Sequence, residues 1–301
     1  MRAPEFWTGD RPLDRFLAAA LAPAGWIHGA TVAYKAAHAK PYRSRTKVIC
    51  VGNLTAGGTG KTPVAIAIAK AVSTRGLRPF FLTRGYGGAN RTAKQVDPET
   101  DDAANVGDEA LLLAAAAPTI VSRTRANGAM LAERSGADVI VMDDGHQNFS
   151  LAKDLSLVVI DAEQGFGNCQ MIPAGPLREP VENGLTRADA AIVVGETEMI
   201  LPHFSKPVLR ARLVSADGDW VRGRRVVAFA GIGRPEKFFR TLRQAGANIV
   251  ATNGFPDHHR YSAAELANLR NMADEKAAIL VTTEKDFVRL APEERRSIHC
   301  L

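Results

Sequence analysis

Between Val51 and Pro63 the chain reads VGNLTAGGTGKTP. A Lys-Thr pair behind closely spaced glycines is the end of a phosphate-binding loop, G-x-x-x-x-G-K-[ST]. Gly57, Gly58 and Gly60 let the backbone turn its N–H groups toward anionic oxygens. Lys61 has the charge and reach for β- and γ-phosphates, and the Thr62 hydroxyl can ligate Mg²⁺. The run Thr55, Ala56, Gly57, Gly58, Thr59, Gly60, Lys61, Thr62 is therefore expected to hold the phosphates of ATP. One position departs from the pattern, because Thr55 stands where the first glycine belongs.

Such a loop needs an acidic partner for the metal at the end of a neighbouring strand. VIVMDD, ending in Asp143 and Asp144, supplies it roughly 80 residues downstream. No guanine-reading N-K-x-D is present, and TTEKD has similar letters in a different order, so a GTPase is disfavoured. TRGYGG places Arg84 and Tyr86 at a strand exit, VGDEALLL places Asp108 and Glu109 at a helix start, and IPAGPLREP stiffens a loop that presents Arg178 and Glu179. GFPDHHRY puts Asp257 and two histidines after a strand. Alone, the helix-start acids read as caps and the histidines as solvated. If two lobes close over one cleft, a histidine could meet Asp108, and an Asp–His pair can deprotonate a sugar hydroxyl. Arg84, Arg125 and Arg178 are candidates to neutralise phosphate or lipid charge, with nothing to rank them.

The elements that must position these residues alternate. KVICVGN is a short β-branched run ending in the glycine loop, and KTPVAIAIAKAVSTRG is a helix stopped near Gly76. RPFFLT, TIVS, ADVIVMDD, LSLVVIDA and AAIVVG are further strands, with helical patterns between several of them. This implies an α/β fold, P-loop NTPase-like, with a mostly parallel sheet flanked by helices. Near residue 210 the texture changes to extended segments around an Asp-Gly turn. Helix and strand then alternate again, which implies a second, smaller α/β lobe. The expected division is a basic N-terminal helical segment over 1–46, an ATP-binding core over 47–212 and the small lobe over 213–301.

The formal charge of +6 is concentrated: residues 1–47 hold eight basic and three acidic side chains. That favours a local anionic partner over a coat of nucleic acid. The same segment is apolar, with Leu13, Phe16, Leu17 and Leu21 at helical spacing and Trp26 beyond. Its longest uncharged run, Phe16 to Ile27, is about 12 residues and contains Pro23, against the roughly 20 a span requires. Acids precede the run, which argues against a secretory signal. An amphipathic helix lying on a membrane surface and a helix packed on the domain's own core are both open. Three widely spaced cysteines argue against a disulfide framework and fit a reducing cytosol.

Taken together, GNLTAGGTGKTP, RGYG, VGDE, DDG-Q, FGN…PAGPLREP, DHHRY and TTEKD resemble the tetraacyldisaccharide 4′-kinase family of lipid A biosynthesis. The likeness spans nearly the whole chain, and a threonine at the first loop glycine looks typical of it. The resemblance implies transfer of the ATP γ-phosphate to the 4′-hydroxyl of a tetraacylated glucosamine disaccharide 1-phosphate. It implies a peripheral enzyme at the cytoplasmic face of the bacterial inner membrane, helped to its lipid by the N-terminal helix. It further implies Asp108 and His258 as a catalytic dyad, Asp143 and Asp144 near Mg²⁺, and a role for Glu179. Departures are His146 and Asn148 in DDGHQN, Gly88 after RGYG, and Cys169 after FGN. The expected partners are the lipid disaccharide and the anionic membrane surface, with no nucleic acid, for a monomeric chain. The rival reading is a membrane-associated P-loop ATPase switch that phosphorylates no substrate; DHHRY and PAGPLREP, which a switch does not need, weigh against it. A soluble small-molecule kinase is weakened by the N-terminal segment.

Overall fold

The computed structural model describes residues 4–201, 203–214 and 218–301. The expected Asp217–Gly218 turn falls partly outside them. The chain divides into two compact units, the larger comprising Asn105–Leu213 with the described residues up to Asp101, the smaller Val214–Leu301 with Asp102–Ala104.

After helix α1 (Pro12–Ala37), the larger unit runs β1 (Lys47–Gly52), α2 (Lys61–Ser73), β2 (Pro79–Thr83), β3 (Lys94–Gln95), then a short helix α3 (Ala103–Val106) leading into α4 (Asp108–Ala114). It continues with β4 (Thr119–Val121), α5 (Arg125–Arg134), β5 (Val139–Asp143), β6 (Leu155–Asp161), α6 (Val181–Thr186), β7 (Ala190–Val194) and β8 (Val208–Ala211). Among the described residues its eight strands form one sheet in the order β3-β4-β2-β5-β1-β6-β7-β8. Every pairing is parallel except β3 with β4. Successive connections build β2, β5 and β4 on one side of β1 and β6, β7 and β8 on the other, so the loop after β1 opens at a topological switch point.

Alternation along each strand separates two core layers. Val51, Val141, Val159 and Ile192 pack under Val64, Ala65 and Ala69 of α2. Cys50, Ile140, Met142 and Leu82 face the other way, under Ala129 and Ala132 of α5. Burial on both faces explains why these strands read as unbroken apolar runs.

The smaller unit is a parallel sheet of β10 (Asn248–Gly254), β9 (Arg225–Ala230), β11 (Ile279–Thr282) and β12 (His299–Cys300), in that order. Helix α7 (Pro235–Gln244) covers one face through Phe238, Phe239 and Leu242. Helix α8 (Ala263–Glu275) covers the other through Leu266 and Leu269. The TTEKD letters end β11 and open a one-turn helix, α9 (Glu284–Phe287), which the Thr283 side chain caps from the Asp286 N–H.

Helix α1 corrects the sequence expectation. Pro23 interrupts neither it nor its apolar character: one 26-residue helix passes through that position. By length and composition it is apolar and long enough to cross a membrane. It is also not packed on the core by its large side chains. Its buried residues are Asp14, Gly25 and Gly29, and the two glycines lie against Met171, where a Cβ on Gly25 would come within 2.8 Å of the Met171 carbonyl oxygen. Phe16 and Ile27, on the opposite side, are 68% and 71% exposed, and Leu13 and Tyr34 stand beside them. The helix thus buries its small face and presents its apolar face outward, the reverse of a soluble amphipathic helix.

Candidate active site

The loop after β1 explains Thr55. Glycine is required where φ is positive, and that falls at Gly57 (115°) and Gly60 (85°), with no left-handed backbone at Thr55. Thr55 instead forms an antiparallel bridge with Leu177, flanked by Ala56 N–H donating to the Pro176 carbonyl (2.7 Å) and Arg178 N–H to the Leu54 carbonyl (2.8 Å). Buried Asn53 braces the interior of the loop, its Nδ2 donating to the Thr55 carbonyl (2.6 Å) and to Thr59 Oγ1 (3.1 Å). A Cβ added at Gly57 or Gly58 would meet nothing within 4 Å. The inner side of the loop is therefore held by PAGPLREP, while its glycine rim faces open space that an anion can occupy.

Parallel register sets Val51 of β1 opposite Asp143 of β5, which brings the strand-end carboxylates to the loop. Thr62 Oγ1 donates to Asp143 Oδ2 at 3.1 Å, and Lys61 Nζ lies 3.7 Å from Asp144 Oδ1. Arg178 Nη1 donates to the same Asp144 oxygen at 2.8 Å. The two neighbouring carboxyls are driven apart. Burial, reinforced by the charges of Glu109 and Asp144, pushes Asp143 up to about 7 despite the pull of Lys61. Burial also opposes ionisation of Asp144, but Lys61 and Arg178 outweigh it and hold that group down to about 2.

Asp143 Oδ1 is buried without a hydrogen-bond partner. An orphaned carboxylate oxygen beside a threonine hydroxyl fits a divalent cation, and Asp143 with Thr62 would hold Mg²⁺. Mg²⁺ takes one or two carboxylates and leaves its other positions to phosphates and water. When bound, it would neutralise charge on the β- and γ-phosphates.

The raised Asp143 group has a measurable consequence. Its folded value lies above the ordinary carboxylate range, so its stabilising effect is complete below about 4 and is lost as pH rises through about 7. Without nucleotide or metal, Asp143→Asn is expected to be more stable than the wild type at pH 8, by on the order of 2–4 kcal/mol, and so to melt higher. The difference should shrink toward pH 5. Thermal melts across this range with and without Mg²⁺ check it; a wild-type lead that grows with pH would contradict the burial argument.

The three candidate arginines separate. Arg84 is exposed. Arg178 is bound to Asp144. Arg125, at the start of α5, is buried; its Nη1 donates to the Ser122 carbonyl (2.7 Å), and its Nε is a buried donor without a partner. Burial lowers its pKa to about 10, against the favourable charges of Asp144 and Asp143. Glu179 sits in a buried network, paired with Arg187 and accepting from Gln147 Nε2 (2.9 Å), which also reaches the Asn53 carbonyl (2.8 Å).

Asp108 is buried at the first turn of α4, its Oδ1 accepting the Glu109 N–H at 2.9 Å. Gly107 and Gly85 before it pack backbone to backbone, so a Cβ on Gly107 would lie 2.5 Å from the Tyr86 carbonyl oxygen. RGYG therefore serves to seat the GDE turn.

His146 and Asn148, the departures in DDGHQN, have structural roles. His146 is fully buried, with Nδ1 3.1 Å from Ser156 Oγ and Nε2 2.9 Å from the Gly184 carbonyl, and burial lowers it to about 3, so the ring is neutral. Asn148 Oδ1 accepts from the N–H and hydroxyl of Ser150.

In the smaller unit the two histidines of DHHRY differ. His259 Nε2 lies 3.0 Å from Glu265 Oε1, and its ring stacks on Phe255. His258 sits in the left-handed region (φ 59°), with its N–H donating to the Gly231 carbonyl (3.1 Å) and Arg289 Nη2 3.5 Å from its Nδ1. Asn53, Gln147, Arg187 and Arg289 are the residues that sequence reading missed. The first two stand inside the GNLTAGGTGKTP and DDG-Q motifs; Arg187 pairs eight residues away, and Arg289 pairs with Asp286 three residues before it as well as facing His258, 31 residues away.

A glycine cradle at a switch point, a Lys-Thr pair and strand-end aspartates define a P-loop nucleotide-binding protein. The sequence model of the Tetraacyldisaccharide-1-P 4'-kinase family matches residues 17–301, and the chain belongs to that family. It is 50% identical to a tetraacyldisaccharide 4'-kinase of Paramagnetospirillum magneticum over 306 residues, covering 100% of this chain and 93% of that protein. It is likewise 50% identical to one of Rhodospirillum rubrum, covering 99% and 91%. A crystal structure of LpxK from Aquifex aeolicus in complex with ATP superposes with a TM-score of 0.75 at 26% identity, covering 94% of this chain and 92% of that one. The chain is therefore an ATP-dependent kinase of lipid A biosynthesis that phosphorylates a tetraacylated disaccharide 1-phosphate at its 4′-hydroxyl, yielding lipid IVA. The ATPase-switch alternative is not favoured.

Proposed function

We propose the following division of labour. The loop Thr55–Thr62 binds the triphosphate of ATP, with Lys61 on its terminal phosphates. Thr62 and Asp143 hold Mg²⁺, and Asp144 keeps Lys61 and Arg178 oriented before nucleotide binds. The paired contacts of Thr62 with Asp143 and of Lys61 with Asp144 carry this reading. Asp108 accepts the proton of the 4′-hydroxyl, and His258 serves the same step. Arg125, with a buried unpartnered donor, is the arginine best suited to an anionic group. Glu179 supports the loop through Gln147 and Arg187. Phosphoryl transfer asks chiefly for such positioning and charge stabilisation. The proposed domain division has an N-terminal segment over 1–46, an ATP-binding core over 47–212 and a small lobe over 213–301.

We further propose that α1 seats a monomer peripherally on the cytoplasmic face of the inner membrane. The exposed apolar side of α1 supports this, as do the basic residues flanking it, which suit an anionic leaflet. One assay tests both parts: anionic vesicles carrying the tetraacylated disaccharide 1-phosphate, with ADP release and lipid phosphorylation followed together. One ADP per phosphorylated lipid is expected. Phe16→Glu with Ile27→Glu is expected to lower vesicle binding at least tenfold, since each exposed side chain buries apolar area worth about 1.5–3 kcal/mol. Turnover on detergent-dispersed substrate should be kept. ATP hydrolysis without lipid product would revive the switch, and unchanged vesicle binding would remove α1 from the membrane role.

A further inference from the structure

On the face that helix α1 buries, one side chain reaches the loop that braces the phosphate site. Gly25, His28 and Gly29 share that face, since residues three and four apart are neighbours on a helix. Gly25 and Gly29 close on Met171, so the helix backbone lies directly on the loop between β6 and α6. At that approach the half-buried His28 ring spans the gap: its Nε2 lies 3.2 Å from the Arg178 carbonyl oxygen. The turn before α1 grips the same loop further back. Trp7 Nε1 donates to the Pro173 carbonyl (3.1 Å), and the Asn168 N–H donates to the Trp7 carbonyl (2.9 Å).

The loop passes this hold inward. Met171 bridges Leu177, and Leu177 bridges Thr55. Arg178 is where the two sides meet. Its N–H is committed to the Leu54 carbonyl (2.8 Å), its own carbonyl faces His28, and its guanidinium donates to Asp144 beside Lys61. A carbonyl oxygen only accepts, so His28 Nε2 carries the hydrogen of this contact. The backbone of residue 178 is thus held from the phosphate loop on one side and from α1 on the other, which sets the direction in which its side chain leaves. Every residue of this relay belongs to the larger unit.

We propose that His28 is a positioning residue for the phosphate site. Through the Arg178 carbonyl it fixes the Arg178 guanidinium against Asp144, and with it the carboxylate that orients Lys61. Helix α1 then has two faces with separate tasks: an outer apolar one for the bilayer and an inner one that completes the nucleotide site. The proposal rests on the reading of Lys61 and Asp144 as parts of the phosphate site and adds to it a residue that lies outside every phosphate-binding motif.

The test uses the full chain with ATP, Mg²⁺ and detergent-dispersed lipid disaccharide, so that membrane binding does not enter. His28→Phe keeps a ring and removes the donor; it is expected to lower kcat/KM for ATP about threefold to tenfold, the usual effect of losing one hydrogen bond. His28→Gln offers an amide N–H in place of Nε2 and should recover most of the loss. His28→Asn, whose amide is too short to reach the carbonyl, takes the place of the phenylalanine variant if that one fails to fold. Binding of all three to anionic vesicles should be unchanged. In an Arg178→Ala background the donor-removing substitution should add nothing. Hydrogen–deuterium exchange gives a readout independent of turnover: the Arg178 amide should exchange faster in His28→Phe and at the wild-type rate in His28→Gln. Equal losses in the phenylalanine and glutamine variants, losses that multiply with Arg178→Ala, or unchanged exchange at residue 178 would overturn the proposal. Wild-type kinetics in Arg178→Ala would instead overturn the reading of the Asp144 cluster, and the exchange rates would still report whether His28 holds residue 178.

Discussion

Asp108→Asn is expected to lower kcat by about 10²–10⁴ while leaving the KM for ATP near its wild-type value, because it removes a base and keeps the side chain's size and shape. Asn keeps an oxygen where Asp108 Oδ1 accepts the Glu109 N–H, so that contact in the first turn of α4 is retained. The packing of the RGYG turn against Gly107 is backbone to backbone and does not involve the side chain. Fold and nucleotide site should therefore survive, and the loss should fall on the chemical step. Phosphorylation of the lipid disaccharide at saturating ATP, alongside a thermal melt, measures it. If the variant turns over within a few-fold of wild type, Asp108 is only a first-turn acid of α4 and the proton goes elsewhere.

Lys61→Ala is expected to reduce kcat/KM by at least about 10²–10³, the usual effect of deleting one donor aimed at developing charge. Here the structure separates function from stability. Lys61 shares Asp144 with Arg178, whose Nη1 stays 2.8 Å from the carboxylate. Removing Lys61 leaves Asp144 paired, so no buried charge is stranded and the fold should hold. Lys61→Arg should not restore activity, since a planar fork does not replace a compact ammonium under the loop. Nucleotide titration and steady-state kinetics on both variants distinguish the outcomes; full activity in either would remove Lys61 from the phosphates.

Much of this fold was legible because its signals are local. KVICVG and VIVMD are buried on both faces, so their apolar runs needed no partner to be recognised as strands of a parallel sheet, and the glycine loop lies between β1 and α2 as its letters imply. The basic, apolar N-terminus was equally visible. What the letters alone left misleading was Pro23, because a proline forfeits only one helical hydrogen bond and a long helix can absorb that loss. The direction of α1's apolar face was hidden too: burial of Gly25 and Gly29 is a property of Met171, some 140 residues away, and no helical periodicity contains it.

By itself the sequence determined residue types and spacings: that a phosphate can be held between Thr55 and Thr62, and that carboxylates close a neighbouring strand. Tertiary structure decided which of those residues meet. Parallel register puts Asp143 opposite Val51, the PAGPLREP loop supplies the bridge that makes a glycine at Thr55 unnecessary, and a buried Asp286 turns Arg289 onto His258. The physical reason is common to all three. Hydrogen bonds and ion pairs between distant segments depend on where packed elements place their ends, and that information is spread over the whole core.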